Sequence, residues 1–252
     1  MQGIYDHPRL YAAAFSFRDI PREVDTLVEC VGRFSRIPVS TVLELACGHG
    51  PHSNELVRRG YRYVGLDLNP AMLAAVTGSA AKADSVSAVL ADMCHFSLDI
   101  QVDLAFVALG SLYAQSTSDL ESHFRSLSAA LRPGGLYLLD WCVNFSPAFP
   151  VSESWEVTDG DLHLRVQFQA SLVDPVEQIV QDSISIEGTD TRTPVRINSV
   201  DTRRIMYPQE FLLLVRSLVD FEFVGWWNDW DLSDPIPSGK PINRPIALLR
   251  RV

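Results

Sequence analysis

A chain of 252 residues with 47% hydrophobic and 21% charged residues is long enough to bury a large core. Its formal net charge of −10 argues against a phosphate backbone or an anionic membrane as the main partner, which leaves a small molecule as the expected ligand. Cys30, Cys47, Cys94 and Cys142 are scattered, with neither CxxC pairs nor the density of a disulfide scaffold, so they read as reduced thiols of a cytoplasmic protein that holds no metal. The first residues lack a basic region followed by an apolar core, and no stretch approaches about 18 uninterrupted apolar residues, so neither export nor a membrane span is expected.

Residues 5–17 are rich in aromatics and alanine. Pro21 then opens a helical pattern with Val24, Leu27, Val28 and Val31 on one face. The next stretch, T-V-L-E-L-A-C-G-H-G at 41–50, is a short apolar run stopping at Gly48 and Gly50. This is how a buried parallel strand ends in a tight turn that opens a helix and lets a ligand approach bare backbone. Residues 52–59 read as the crossover helix, closed by Gly60, and 61–68 as the second strand. Asn69 and Pro70 start another helix, 86–91 is the third strand, and V-D-L-A-F-V-A-L at 102–109 is a fourth, buried one. A helix over 119–131 carries Leu120, Phe124, Leu127 and Leu131 on one face, and R-P-G-G turns the chain into a fifth strand at 136–141. Strands alternating with helices at this spacing predict an α/β protein with a doubly wound, mainly parallel, Rossmann-like sheet of seven strands.

Between 147 and 204 the pattern changes to strict alternation, as at Leu162, Leu164, Val166 and Phe168, with Asp159-Gly160 as a hairpin signal and Gly188 and Pro194 dividing later strands. An antiparallel insertion of three or four strands is expected there. It would interrupt a core made of residues 1–146 and 205–252, of which 1–38 form an N-terminal helical lid. A helix from Tyr207, a strand at 221–227, a Pro-rich loop at 231–245 and a strand at 246–251 complete the core.

Three acids stand where consecutive strands end: Glu44, Asp67 and Asp92. Asp67 suits two ribose hydroxyls, and Asp92, with Leu68 and Met93 offering apolar faces, suits the amine edge of a purine. So much negative charge suits a nucleoside bearing positive charge and opposes a pyrophosphate, although G-H-G-P-H-S partly matches the dinucleotide fingerprint.

L-E-L-A-C-G-H-G, V-G-L-D-L-N-P-A-M-L, A-D-M-C-H-F and L-R-P-G-G-L-Y resemble, in order and spacing, four motifs of class I S-adenosylmethionine-dependent methyltransferases. Ala46 replaces the first glycine of that family's turn. The resemblance covers residues 5–141 and, more loosely, the last helix and two strands. It implies methyl transfer from S-adenosyl-L-methionine to a nitrogen or oxygen of a small acceptor. It also implies that Glu44, Ala46, Gly48 and the carbonyl near Leu109 hold the amino end of the methionyl part. Asp67 would take the ribose, and Leu68, Asp92 and Met93 the adenine. Y-A-A-A-F-S-F-R-D-I is similar to the lid of members acting on amino sugars and glycine, which implies Tyr11 over the cofactor and Arg18 on its carboxylate, with Arg22 as competitor. Tyr113 and Trp141, past the fourth and fifth strands, are placed to meet the acceptor.

Other residues read more plainly. His49 and His52 flank the turn without a third ligand, so no metal is expected. His123 reads as a structural histidine, Trp226, Trp227 and Trp230 as packing, and Arg203 and Arg204 as ion pairs. Asp84, Asp99 and Asp103 read as solvated charges, and Asp140, at the same rim as Trp141, is weighed as an acceptor contact against a purely structural role. No general base is identifiable, no nucleic-acid motif is present, and a homodimer is compatible with the chain. Two other readings stay open: a nicotinamide-dependent oxidoreductase on a similar sheet, and a protein that binds the cofactor without catalysis.

Overall fold

The computed structural model describes residues 3–79, 83–146 and 148–252. Its central sheet is built from β1 (Thr41–Leu45), β2 (Arg62–Asp67), β3 (Val86–Leu90), β4 (Val102–Val107), β5 (Leu131–Asp140), β10 (Phe221–Asn228), β11 (Asp231–Pro235) and β12 (Pro245–Arg251). They lie in the order β11-β10-β12-β5-β4-β1-β2-β3. β3, β2, β1, β4 and β5 run parallel, and β12, β10 and β11 are added antiparallel beyond β5.

Side chains alternate across this sheet, so each strand feeds two cores. On one face Val42, Leu104, Phe106 and Leu138 pack with Val24 and Leu27 of α2 (Ile20–Phe34), Leu56 of α3 (Ser53–Arg58) and Leu73 of α4 (Pro70–Ser79). On the other, Leu43, Ala105, Tyr137 and Leu139 pack with Phe124 and Leu127 of α5 (Thr117–Ala130) and Phe211 of α6 (Pro208–Ser217). Phe124 and Phe211 are buried, each worth roughly 2 to 3 kcal/mol on area alone. Helices on both faces make the sheet doubly wound, and they start where the sequence signals them. Asn69 Oδ1 accepts from the Ala71 and Met72 amides, and Ser116 caps α5 through the Asp119 amide. No helix among the described residues is long and apolar enough to cross a membrane.

The sheet has eight strands, not seven. β11 occupies part of the stretch read as a loop, and pairs with β10 through Trp227 and Asn228 around a bulge. It is an edge strand with a single buried apolar residue, Leu232, so it carries little periodic signal. β5 also starts earlier than expected, at Leu131, because Leu131 pairs with Val102 and the R-P-G-G segment is taken up in a register shift before Leu136 pairs with Leu104.

The insertion is a four-stranded antiparallel sheet: β6 (Val151–Asp159), β7 (Leu162–Asp174), β8 (Ile179–Asp190) and β9 (Thr193–Arg204), paired in that order. Pro147, where the insertion was expected to begin, lies outside the described residues. Gly188 and Pro194 divide nothing. The β8–β9 turn is at Thr191 and Arg192, both at positive φ. Gly188 is needed because β7 passes so close that an added Cβ would stand 1.9 Å from the His163 carbonyl oxygen. The inner face of this sheet, with Leu162, Leu164, Val166 and Ile186, packs on Ile4 of a 3-10 turn (Ile4–Asp6) and Ala14 of α1 (Pro8–Ala14). The N-terminal segment is thereby held between the insertion and the carboxyl ends of the parallel strands.

Candidate functional site

β1 ends in a turn whose backbone is left-handed at Ala46 (φ 48), Gly48 (φ 55) and Gly50 (φ 66). Ala46 stands where a glycine would be unstrained, and holding it there costs about 1 kcal/mol. The turn is tied to the next strand through Asp67, whose Oδ2 accepts from the Gly48 amide at 2.8 Å and Oδ1 from the Asn69 amide at 2.8 Å. Burial raises the Asp67 carboxyl above its usual range although those two amides favour its charged form. Tyr11 lies over the turn, 5.9 Å from the His49 ring, and burial pushes its phenol up to about 12.

Tyr11, Arg18, Glu44, Ala46, Gly48 and Leu109, six of the positions singled out in the sequence, line one crevice of about 120 Å³ with His49. The His49 Nδ1 is buried with no partner among the described residues. The crevice adjoins a cavity of about 1030 Å³, with which it shares Tyr11, Phe15, Ser16, Leu109 and Ser111. Tyr113 and Trp141 line that cavity. Four predicted positions lie outside both linings: Asp67, which is bonded to the turn from the next strand, and Leu68, Asp92 and Met93. Leu68 is 66% exposed beyond β2, Asp92 is exposed and accepts from the Cys94 amide, and Met93 packs in the core beneath α5.

Arg22 lies outside the crevice that Arg18 lines. Its side chain reaches away to the Asp229 carbonyl, whereas Arg18 is 7% exposed and turned inward, ion-paired with Glu23. Glu23 leads into a buried network that the sequence did not reveal. His52 Nε2 is 2.9 Å from Glu23 Oε2, and His52 Nδ1 is 2.7 Å from Glu44 Oε1. Tyr63 donates to Glu44 Oε2 at 2.6 Å, and Arg244 joins Glu23 to Asp140. Burial opposes charge on Glu23, but hydrogen bonds from His52 and Arg18 and the charges of Arg18 and Arg244 hold its carboxyl well below the usual range. Burial likewise disfavours a charged His52, and the Glu44 charge with the bonds to Glu23 and Glu44 raises it all the same.

Asp140 is an internal anchor and not an acceptor contact. It is fully buried and accepts from the Leu109 amide at 2.7 Å, Trp230 Nε1 at 3.0 Å and Arg244 Nε at 2.8 Å. Those bonds fix Leu109, which has φ 55, at the junction of crevice and cavity. Asp103 is not solvated either. It is 1% exposed, accepts from the Ser40 and Thr41 amides and ion-pairs with Arg132, whereas Asp84 and Asp99 are exposed as expected. Arg204 pairs with Glu210, and Arg203 with Asp182 at 2.6 Å, inside the large cavity. Asp182 is 4% exposed and also takes the Tyr113 hydroxyl at 3.4 Å. The lining also carries five aromatic side chains, Phe15, Phe145, Phe149, Trp155 and Phe168.

An acid, an inward-turned guanidinium, bare backbone and an unpartnered imidazole nitrogen in one crevice suit the zwitterionic end of an amino acid. Asp67, with one amide on each oxygen, keeps acceptor capacity for vicinal hydroxyls. The residues present therefore fit S-adenosylmethionine better than a pyrophosphate, which would meet Glu44 and Asp67 as like charges.

Comparison with known proteins agrees with this geometry. Residues 42–135 match the family described as methyltransferase domain. A curated protein of Bacillus subtilis (strain 168), "Putative methyltransferase YqeM", is 30% identical over 115 residues, which span 44% of this chain and 47% of that protein. Among solved structures, an S-adenosylmethionine-dependent methyltransferase from Clostridium acetobutylicum ATCC 824 superposes with a TM-score of 0.78 at 17% identity, covering 96% of each chain. The sugar N-methyltransferase KedS8 from Streptoalloteichus sp ATCC 53650 gives 0.74 at 19%, covering 100% of this chain and 95% of that one. CalS10, an amino pentose methyltransferase from Micromonospora echinaspora, gives 0.72 at 17%, covering 97% of each. At these identities the structural likeness speaks for the fold, insertion included.

Proposed function

From a methyltransferase domain at residues 42–135, set in a chain folded along its length like S-adenosylmethionine-dependent methyltransferases, we propose that this protein transfers a methyl group from S-adenosylmethionine to a nitrogen or oxygen of a small molecule. The observation that carries the reading is the meeting of Glu44, Arg18 and Gly48 in one crevice that adjoins a large cavity. Neighbouring structures described as sugar and amino pentose methyltransferases favour nitrogen on an amino sugar-like ring. The cavity suits such an acceptor, since about 1030 Å³ lies at the upper end for small ligands, and a lining that combines aromatic side chains with Asp182, Arg203 and Tyr113 matches a ring with apolar faces and polar substituents.

When bound, S-adenosylmethionine supplies a methyl group on a positively charged sulfur, a leaving group that needs no acid. The chain's task is then to bind, orient and keep water out. Glu44 and Arg18 take the amino and carboxylate ends, Asp67 the ribose hydroxyls, and Leu68 and Asp92 flank the adenine. Tyr11 covers the crevice, and Tyr113, Asp182 and Trp141 seat the acceptor at the Leu109 junction. Alignment of this kind lowers a barrier by about 7 to 11 kcal/mol at best. An amine that binds neutral needs no base for attack.

Calorimetry tests the reading. S-adenosylmethionine and S-adenosylhomocysteine are expected to bind at micromolar concentration, Asp67→Ala to weaken both by about tenfold or more, and nicotinamide dinucleotides not to bind. Binding of a dinucleotide alone would overturn the assignment. Cofactor binding with no turnover across a panel of amines, amino sugars and phenols would count against catalysis.

A further inference from the structure

The mechanism above uses Glu44 and Arg18 and leaves unexplained the most buried titratable group between them. His52 is fully buried at the start of α3, its ring edge-on to Phe106 at 4.9 Å. Both of its ring nitrogens face carboxylate oxygens, Glu44 of β1 at 2.7 Å and Glu23 of α2 at 2.9 Å, and Arg18 Nη2 lies 3.0 Å from Nε2. A single imidazole thus touches the acid of the crevice, the acid that holds the crevice's guanidinium, and that guanidinium itself. Among the described residues, the other hydrogen-bond partner of Glu44 is the uncharged Tyr63 hydroxyl.

Three buried acids would not share one corner without cations. Glu23 is answered by Arg18 and Arg244, and Asp140 by Arg244. For Glu44 the answering group is His52. A carboxylate held at Oε1 by the imidazole and at Oε2 by the phenol cannot rotate about its terminal bond, so its remaining lone pairs keep one direction. The same ring, through Glu23, sets where Arg18 lies.

We propose that His52 is the positioning residue for the amino-acid end of the cofactor, fixing Glu44 to receive the α-amino group and, through Glu23, Arg18 to receive the α-carboxylate. This rests on the methyltransferase reading and extends it. His52 reads the methionyl part and leaves the adenosine part, held by Asp67 at the neighbouring strand end, untouched.

5′-Methylthioadenosine, which lacks the amino-acid end, separates the two parts. In calorimetry on the full chain, His52→Gln keeps an amide in reach of Glu23 but abandons Glu44. It is expected to weaken S-adenosylhomocysteine by about tenfold or more while leaving 5′-methylthioadenosine within about twofold. His52→Asn places its amide nitrogen where Nδ1 stood and keeps the Glu44 bond but gives up the Glu23 contact and the charge. It is expected to recover part of the loss, binding S-adenosylhomocysteine more tightly than His52→Gln but more weakly than the parent. Equal weakening of both ligands by His52→Gln would reduce the residue to packing and overturn the proposal, as would unchanged binding of S-adenosylhomocysteine. Should His52→Gln fail to fold, the parent protein decides. With histidine labelled by nitrogen-15, the His52 ring resonances should move on adding S-adenosylhomocysteine and stay in place on adding 5′-methylthioadenosine, and any other pattern overturns the proposal. A parent that binds 5′-methylthioadenosine as tightly as S-adenosylhomocysteine overturns this inference alone, whereas one that binds neither overturns the cofactor assignment with it.

Discussion

His123 shows how far a residue's surroundings can settle its chemistry. Its Nδ1 donates to the Met93 carbonyl at 2.9 Å, and its Nε2 accepts from the Tyr137 hydroxyl at 2.8 Å, so both nitrogens are used by the neutral ring. Burial then drives its pKa down to about 4. The unfolded chain takes up this proton near 6.5 and the folded chain only near 4, so stability falls as pH drops through that window. Between pH 7 and pH 5 the term amounts to about 2 kcal/mol. Urea denaturation at the two pH values should show this loss in the parent and its absence in His123→Gln. An equal pH dependence in both would mean that the proton is lodged elsewhere. The contrast between His123 and His52 also shows what a sequence can disclose. His123 is recognisable as structural because it sits beside a local apolar stripe. His52 depends on Glu23, 29 residues away, and Glu44 is the only partner close in sequence. Crevice residues Glu44 and Gly48, with Asp67 beside them, are legible because the strand, turn and strand end that create them are contiguous motifs. Asp103 carries a clue that the solvated reading passed over, since an acid inside an apolar six-residue strand must be paired when buried.

Among the elements, α1 has the most indirect support. It spans only seven residues, below the length at which a helix stands alone, and its fixed point is the insertion. Trp155 of β6 donates from Nε1 to the Ala14 carbonyl at 2.7 Å and packs edge-on against Phe15 and Phe17 at 5.8 and 5.9 Å. One hydrogen bond and these ring contacts are worth about 1 to 2 kcal/mol, so Trp155→Ala should speed amide exchange across residues 9–17 by about tenfold or more. Exchange measured by mass spectrometry and found unchanged would place the restraint in the Ile4 cluster. The periodicity of β6 to β9 announced the insertion, but nothing local said that its apolar face would take the N-terminal segment as its cover. β11 was missed for the opposite reason, having too few apolar residues to register as a strand at all.

Across the whole molecule, Arg244 is where distant parts are joined. From the loop before β12 it reaches Asp140 at the end of β5 and Glu23 on α2, 221 residues away, with its guanidinium beside Trp230. Both acids are buried, so Arg244→Met should lower the unfolding free energy by about 3 to 5 kcal/mol, with Arg244→Lys recovering part of it. Chemical denaturation reads this directly, and a loss below about 1 kcal/mol would mean that the acids relax toward solvent.

The strand order has a consequence for assembly in time. β12, the latest strand in sequence, is placed between β5 and β10. Until residues 245–251 have emerged during synthesis, β10 and β11 can form only a detached hairpin, and β5 is an open edge. The cofactor crevice, made from residues 11–109, could be shaped earlier, but Asp140 cannot receive Arg244 before that strand docks. Birth of the working site is therefore gated by the closing of the sheet, with the insertion already waiting as a separate hairpin stack.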